Sequence, residues 1–352
     1  MGTRLLFLGD VFLTRTCAVN LPGGYPLILN LEGPISNRGT PIEGKINLIM
    51  REGILEKVFN PLPVAVSLAN NHIMDFGNEA FEDTIMNLEK LGVLFFGAGR
   101  ANKNYNNPSI VSFEGLRVGF LGYCYAFYYD QIKNVRGLLY GPAPLETERI
   151  QRDIDYLKGK VDRIVLTFHW GVEDCNLPEM EQVYFARKVI EMGADCIIGH
   201  HAHAIQPVEM HQRGIIAYGL GNFISPDLNV LSYFDEAGKP TECFRKRQRY
   251  WNKASVGILI DLAALAYDIL PFYFDDRRVE NKQKIFHRYA TYDIECNLKK
   301  LNSLALRNLK WNRLVHCVLS YMEKPKIPTA KRVSAFLKLF TYRKDTAKSW
   351  FR

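Results

Sequence analysis

The 352-residue sequence predicts an α/β (α+β) protein on three observations: short apolar runs recur, each stops in a polar loop, and stretches of helical apolar spacing lie between them. Hydrophobic residues make up 47% of the chain, ample for a substantial core. No run of about 18 uninterrupted apolar residues occurs.

Residues 5–8 read as the first buried strand and end in Gly9-Asp10, a carboxylate at a strand's C-terminal end, where α/β proteins place their chemistry. Residues 27–31 form the next apolar run, broken by Gly33-Pro34, with Asn30 and Glu32 two apart and so on one face. A carboxylate in such a run is costly unless paired or metal-bound. Asn30 equally suits the capping of a turn. Residues 63–69 run into Asn70-Asn71-His72-Ile73-Met74-Asp75, where amide, imidazole and carboxylate crowd one strand exit. Phe81, Ile85, Leu88 and Leu91 predict a helix over 79–91. The strand over 93–96 ends in Gly97-Ala98-Gly99, which lacks the third glycine of a dinucleotide fingerprint. After the strand over 118–123 comes a tyrosine-rich loop (Tyr123, Tyr125, Tyr128, Tyr129), suited to a substrate wall or to a packed surface.

A helix over 146–157 leads to the strand over 163–167 and its exit Phe168-His169-Trp170-Gly171. A helix over 182–192 then precedes the densest feature of the chain, Ile197-Ile198-Gly199-His200-His201-Ala202-His203. Three of the eight histidines fall in four positions directly after an apolar run. His201 and His203, two apart, point to one side if the segment is extended, and His-x-His at a strand end lets two rings reach one ion or two adjacent ions. Residues 214–223 supply one more strand and the Gly221-Asn222 turn, with Asn222 placed to hydrogen-bond a ligand. Residues 226–255 read as an insertion bordering the site, followed by strands over 256–262 and 272–274; the apolar positions between Ile294 and Tyr321 suggest helices.

Asp10, Glu32, Asn71, His72, His169, His201 and His203 are thus oxygen and nitrogen donors at successive strand ends, with no thiolate among them. The set suits one or two divalent transition-metal ions, Mn, Zn or Fe, rather than a Cys-bound structural zinc or an oxygen-bound Ca. A carboxylate bridging two ions is the arrangement that activates water for displacement at phosphorus.

The net charge of +8 is uneven: residues 1–240 carry 21 Lys+Arg against 27 Asp+Glu, and residues 241–352 carry 24 against 10. The basic stretch 331–340 is amphipathic and suits an anionic membrane surface or docking on the core. Seven scattered cysteines with no Cys-x-x-Cys pair, and a first apolar run too short for a signal peptide, lead us to expect a cytoplasmic protein, with peripheral membrane contact through the basic C-terminal region. No nucleic-acid partner is expected, since no recognisable binding motif accompanies the basic residues.

Gly9-Asp10-Val11-Phe12, Asn30-Leu31-Glu32-Gly33-Pro34, Leu68-Ala69-Asn70-Asn71-His72 with Asp75 and Gly77, Gly97-Ala98-Gly99, His169-Trp170-Gly171-Val172-Glu173, Gly199-His200-His201-Ala202-His203 and Tyr218-Gly219-Leu220-Gly221-Asn222-Phe223 together resemble the CapA family of poly-γ-glutamate capsule biosynthesis proteins. The motifs keep family order over residues 3–225. That family is similar to the calcineurin-like metallophosphoesterases, and the resemblance implies their fold, a central β-sandwich flanked by helices. It implies Asp10 and His203 as ligands of a first metal, Glu32 as the bridging carboxylate, and Asn71, His169 and His201 as ligands of a second. His72, with Asp75, takes the catalytic role at the leaving oxygen; Asn30, His200 and Asn222 stand behind the ligands.

The chain departs from the phosphoesterase pattern at Phe12, where Asp-x-His carries histidine, at Glu32 in place of aspartate, and at Ala69-Asn70-Asn71-His72 in place of Gly-Asn-His. Two functions are therefore expected in competition. One is a metal-dependent hydrolase acting on a phosphoester or a γ-glutamyl or peptide-like bond of an anionic polymer. The other is a non-catalytic capsule or envelope assembly factor using the fold as a binding module. The expected organisation is a CapA-like domain over 1–275 and a basic, mostly helical extension over 276–352.

Overall fold

Leu5 and Phe7 point to one side of the first strand and Leu6 and Leu8 to the other, and all four are buried. A strand buried on both faces needs a layer on each. The computed structural model, which describes residues 4–125, 137–231, 234–235, 238–282 and 294, supplies both layers.

The chain runs through β1 (Arg4–Val11), β2 (Ala18–Val19), β3 (Leu27–Leu31), α1 (Leu55–Val58), β4 (Ala65–Ser67), α2 (Gly77–Leu91), β5 (Leu94–Phe96) and β6 (Ala98–Gly99). It continues through β7 (Ser109–Phe113), β8 (Leu116–Cys124), β9 (Gly141–Pro142), α3 (Thr147–Leu157), β10 (Arg163–His169), α4 (Met180–Met192) and β11 (Cys196–His200). After these come β12 (Val208–His211), β13 (Gly214–Ala217), β14 (Asn222–Ile224), β15 (Leu228–Leu231), β16 (Cys243–Lys246), β17 (Ala254–Asp261), β18 (Ala266–Phe274) and β19 (Arg278–Asn281).

Two large sheets result, one in the order β2-β19-β18-β17-β1-β3-β4-β5 with β14 beside β1, the other in the order β12-β13-β11-β10-β8-β7. Their facing sides share one apolar cluster, with Leu5, Phe7, Ile28 and Ile258 from the first sheet and Phe120, Val165, Ile198 and Ala217 from the second. The outer face of the first sheet packs on Phe81 and Leu88 of α2 and Leu55 of α1, and that of the second on Ile150 and Ile154 of α3 and Val183 and Val189 of α4. The expected β-sandwich flanked by helices is therefore the fold.

In the interior of the sandwich Ser67 Oγ meets Thr167 Oγ1 at 2.8 Å, both buried, and so links the two sheets. Ser67→Ala leaves the Thr167 hydroxyl without this partner, and we expect a loss of about 1–2 kcal/mol in chemical denaturation, whereas Ser67→Ala/Thr167→Val falls close to wild type.

The parallel strands β1, β3 and β4 of the first sheet and β8, β10 and β11 of the second end next to the donor residues of the site. Backbones crowd at those ends. A Cβ on Gly9 would lie 2.0 Å from the Gly221 carbonyl oxygen, and one on Gly199 would lie 1.8 Å from that of Tyr218. Glycine at both places is what lets β1 approach the start of β14, and β11 the chain leaving β13.

Pairing of β19 with β18 carries the first sheet past residue 275. Tyr123 is fully buried and donates through its hydroxyl to Asp153 Oδ2 at 2.8 Å, so it belongs to the core and forms no substrate wall. Tyr128, Tyr129, the helices between 294 and 321 apart from Ile294, and the basic stretch 331–340 lie outside the described residues. Among the described residues no helix is long and apolar enough to cross a membrane.

Candidate metal centre

Asp10 leaves β1 nearly inaccessible to solvent and is held from three sides. Asn30 Nδ2 donates to its Oδ1 at 2.8 Å, the His201 backbone N–H to its Oδ2 at 3.2 Å, and His200 Nδ1 stands 3.2 Å from Oδ1. Against the burial penalty, the neighbouring imidazoles of His200 and His203 hold the Asp10 carboxyl well below the usual range. Asn30 sits inside β3 in register with Asp10 and is bonded in turn by Asn70 Nδ2 at 3.2 Å, so the turn-capping alternative is excluded. Asn70 Oδ1 accepts from His72 N at 3.1 Å, which ties the exits of β1, β3 and β4 into one polar network.

Strand β11 stops at His200. The two histidines beyond it adopt left-handed backbone, φ 82° at His201 and 51° at His203. Their rings, 5.7 Å apart, converge through this turn, which corrects the expectation of an extended pleat. Left-handed non-glycine residues are held only where surroundings over-determine them, and they concentrate at functional sites. Here Asp10 holds the His201 amide, while Asn252 Nδ2 reaches the His203 carbonyl at 3.2 Å.

Glu32 stands at the centre. Its Oε1 is buried and accepts no hydrogen bond among the described residues; it faces His203 Nε2 at 3.6 Å and His169 Nε2 at 3.9 Å. His169 Nε2 is 2.7 Å from Asn71 Oδ1 and 3.1 Å from His201 Nδ1. Asp10, Glu32 and His203 offer donor atoms within 4.8 Å of one another, and so do Glu32, His169 and His201. Glu32 belongs to both groups. A lone buried carboxylate oxygen aimed at two imidazoles is unfavourable by itself, and a divalent cation between them removes the cost. These residues therefore fit a metal centre.

Protonation is matched to that use. Burial pushes the His201 ring down to about 3 and His169 well below its ordinary value, so both are neutral donors near pH 7. Burial, joined by the Asp10 and Glu173 carboxylates, pushes Glu32 up to about 8. His203, in spite of its burial, is raised to about 10 by Glu32 and Asp10. The His203 ring is oriented by Asn222 Oδ1, 2.8 Å from Nδ1, and Asn222 Nδ2 donates to the Asn252 carbonyl at 2.9 Å.

His72 lies at the rim, its Nδ1 2.7 Å from Asp75 Oδ2. Asp75 is fully buried behind the ring and also receives Leu48 N–H at 2.7 Å and Lys45 Nζ. The sequence places Asp75 with His72 as catalytic; in the structure its carboxylate stands behind the His72 ring and the Lys45 ammonium and is not among the donor atoms that converge on Glu32.

The donor set stands where a family comparison points. The description "Bacterial capsule synthesis protein PGA_cap" matches residues 25–227. The chain belongs to the PGA_cap family. Glu32, Asn71, His72, His169, His201 and His203 fall within the PGA_cap match, whereas Asp10 precedes it. Relatives include the capsule biosynthesis protein CapA of Bacillus anthracis, 34% identical over 181 residues (51% of this chain, 44% of the relative). Another is the PGA biosynthesis protein CapA of Bacillus subtilis (strain 168), 33% identical over 159 residues (44% and 41%). The aligned part of this chain spans less than half the length of these curated relatives. Among solved structures, a putative 5'-nucleotidase from Staphylococcus aureus is similar at 13% identity and TM-score 0.43, over 88% of this chain and 58% of its own. The calcineurin-like phosphoesterase YfkN from Bacillus subtilis is similar at 14% identity and TM-score 0.35, over 74% and 72%. At such scores these structures add no argument, and the fold rests on the sheet order described above.

Three residues at the PGA_cap centre escape sequence reasoning. Glu173 offers a carboxylate oxygen within 4.8 Å of donor nitrogens of His201 and His203, and its signal was the motif His169-Trp170-Gly171-Val172-Glu173. Lys45 and Lys246 had no signal. They come from a loop and a hairpin that only the fold brings to the site.

Proposed function

We propose that this PGA_cap chain is a metal-dependent hydrolase that cleaves a phosphoester or a γ-glutamyl or peptide-like bond in a capsule or cell-envelope polymer. The observation that carries the reading is Glu32 Oε1, buried without a hydrogen bond among the described residues and shared by two groups of donors. Asp10, Glu32 and His203 would hold one divalent ion and Glu32, Asn71, His169 and His201 a second, with Mn, Zn and Fe suited to the nitrogen and oxygen set. When bound, such ions supply Lewis acidity towards a phosphoryl or carbonyl oxygen and lower the pKa of water.

The remaining chemistry belongs to the chain. Asp75 accepts from His72 Nδ1–H, so in the imidazolium form of the ring the second proton sits on Nε2, the atom left to protonate a leaving oxygen or nitrogen. Asn222 fixes the His203 ring through Nδ1 and leaves Nε2 as its donor atom. Buried, neutral His169 and His201 present lone pairs without first having to shed protons.

Raised values for Glu32 and His203 mean that the metal-free pair keeps protons to higher pH than free side chains do. Metal uptake near pH 7 is therefore expected to release protons and to weaken on acidification. Calorimetry in buffers of different ionisation enthalpy measures that release.

The reading is tested by assaying the manganese-loaded full chain on bis(p-nitrophenyl) phosphate and on γ-glutamyl polymer. Wild type should turn over at least one, and His72→Gln should lower kcat by about 10²–10⁴-fold with metal content unchanged. A loaded wild type inert on both favours the second reading, an assembly factor. That reading draws on Phe12, which is buried in the first-sheet core and offers no donor.

A further inference from the structure

The hairpin of β15 and β16 presents an apolar anchor and a cation two residues apart on its inner side. Along Cys243–Lys246 exposure alternates, so Phe244 and Lys246 are half-buried while Cys243 and Arg245 face solvent. Phe244 packs, with Leu228, against the first-sheet core. Gln248 closes the base of the hairpin, its N–H donating to Asp227 Oδ1 at 2.7 Å and its Nε2 to Ser225 Oγ at 2.9 Å. With Phe244 held, the two-residue period of the strand delivers Lys246 Nζ to 3.6 Å from Glu173 Oε2.

Glu173 is itself fixed to the histidine turn. Asp174 N donates to the Ala202 carbonyl at 2.8 Å, and Asn252 Nδ2 donates to Asp174 Oδ1 at 2.7 Å. The two partners are unequal: the Lys246 side chain is 20% exposed and the Glu173 side chain 47%. The carboxylate is thus the partner an incoming anion can displace, and the ammonium the one that stays. Lys45, the other lysine at the centre, cannot serve this way. It is held between the Asn71 carbonyl at 2.6 Å and the Asp75 carboxylate and is 11% exposed.

We propose that Lys246 is a specificity-determining residue of this site, binding an anionic oxygen of the substrate, carboxylate or phosphoryl, beside the bond that is cleaved, in exchange for Glu173. The inference rests on the hydrolase reading and adds to it what the substrate must carry.

Its test is calorimetric titration of the manganese-loaded full chain with tri-γ-glutamate and, separately, with inorganic phosphate. Lys246→Ala should weaken at least one probe about tenfold or more with metal content unchanged, and Lys246→Met, closer in shape, should do the same. Lys246→Arg should retain most of the affinity, and Glu173→Gln, which removes the competing carboxylate, should tighten binding. A loss confined to tri-γ-glutamate assigns a carboxylate as the bound group; a loss confined to phosphate assigns a phosphoryl oxygen. Wild-type affinity for both probes in Lys246→Ala and Lys246→Met overturns the role of Lys246 and leaves the hydrolase reading standing. A loaded wild type that binds neither probe also overturns the role of Lys246, while the hydrolase reading is decided separately by turnover of the phosphodiester and the γ-glutamyl polymer.

Discussion

Glu32→Gln is expected to lower hydrolysis by the manganese-loaded chain at least about 10³-fold while leaving the metal-free protein close to wild type in stability. The two halves of this expectation have one cause. Glu32 supplies the oxygen common to both donor groups, so removing its charge weakens both ions. In the metal-free chain burial pushes the Glu32 carboxyl up to about 8 and keeps it largely protonated near pH 7, so a neutral amide of the same shape replaces it at little cost. A structural carboxylate would behave in the opposite way, because breaking a satisfied buried pair destabilises. Activity after manganese loading and thermal melting in chelator separate the cases. A Glu32→Gln chain that melts well below wild type in chelator would show that the carboxylate serves the fold and not the metals.

Gly199→Ala is expected to be the most damaging single methyl in the described chain. The added carbon would fall 1.8 Å from the Tyr218 carbonyl oxygen and 2.7 Å from Trp170 Nε1, which itself donates to that carbonyl at 3.0 Å. Neither neighbour is the far end of a flexible side chain, so relief requires β11 to part from the chain after β13. We expect a loss of at least about 3 kcal/mol, read by chemical denaturation, with a fall in Tm of roughly 5–10 °C. Because β11 carries the histidine turn, metal affinity should fall with stability. Wild-type stability in Gly199→Ala would refute the close approach on which the site geometry depends.

The strands that build the centre were legible because each is a short apolar run with a polar exit, the pattern left by β1, β3, β4, β10 and β11 when both faces are buried. Donor residues were legible for the same reason, since Asp10, Asn71, His169 and His201 stand at those exits. The histidine turn was legible as a cluster of donors but not in its geometry, because left-handed φ at His201 and His203 is imposed by distant hydrogen bonds, His201 N–H to Asp10 and Asn252 Nδ2 to the His203 carbonyl. Short strands such as β2 at the sheet edge and β19 beside it went unread, since two to four residues carry no periodic signal. Lys246 was invisible for a related reason: its neighbours are polar, and only the anchoring of Phe244 shows which side of its strand faces the centre. The basic amphipathic stretch over 331–340, read as suited to an anionic surface or to docking on the core, lies outside the described residues.

The most direct measurement of the central claim is the metal content of the full chain by inductively coupled plasma mass spectrometry, after manganese loading and exhaustive dialysis. With Glu32 shared between two donor groups, wild type should retain about two ions per chain, His201→Ala fewer, and Glu32→Gln close to none. A wild-type chain that retains no divalent ion, or a Glu32→Gln chain that retains as many as wild type, contradicts the account.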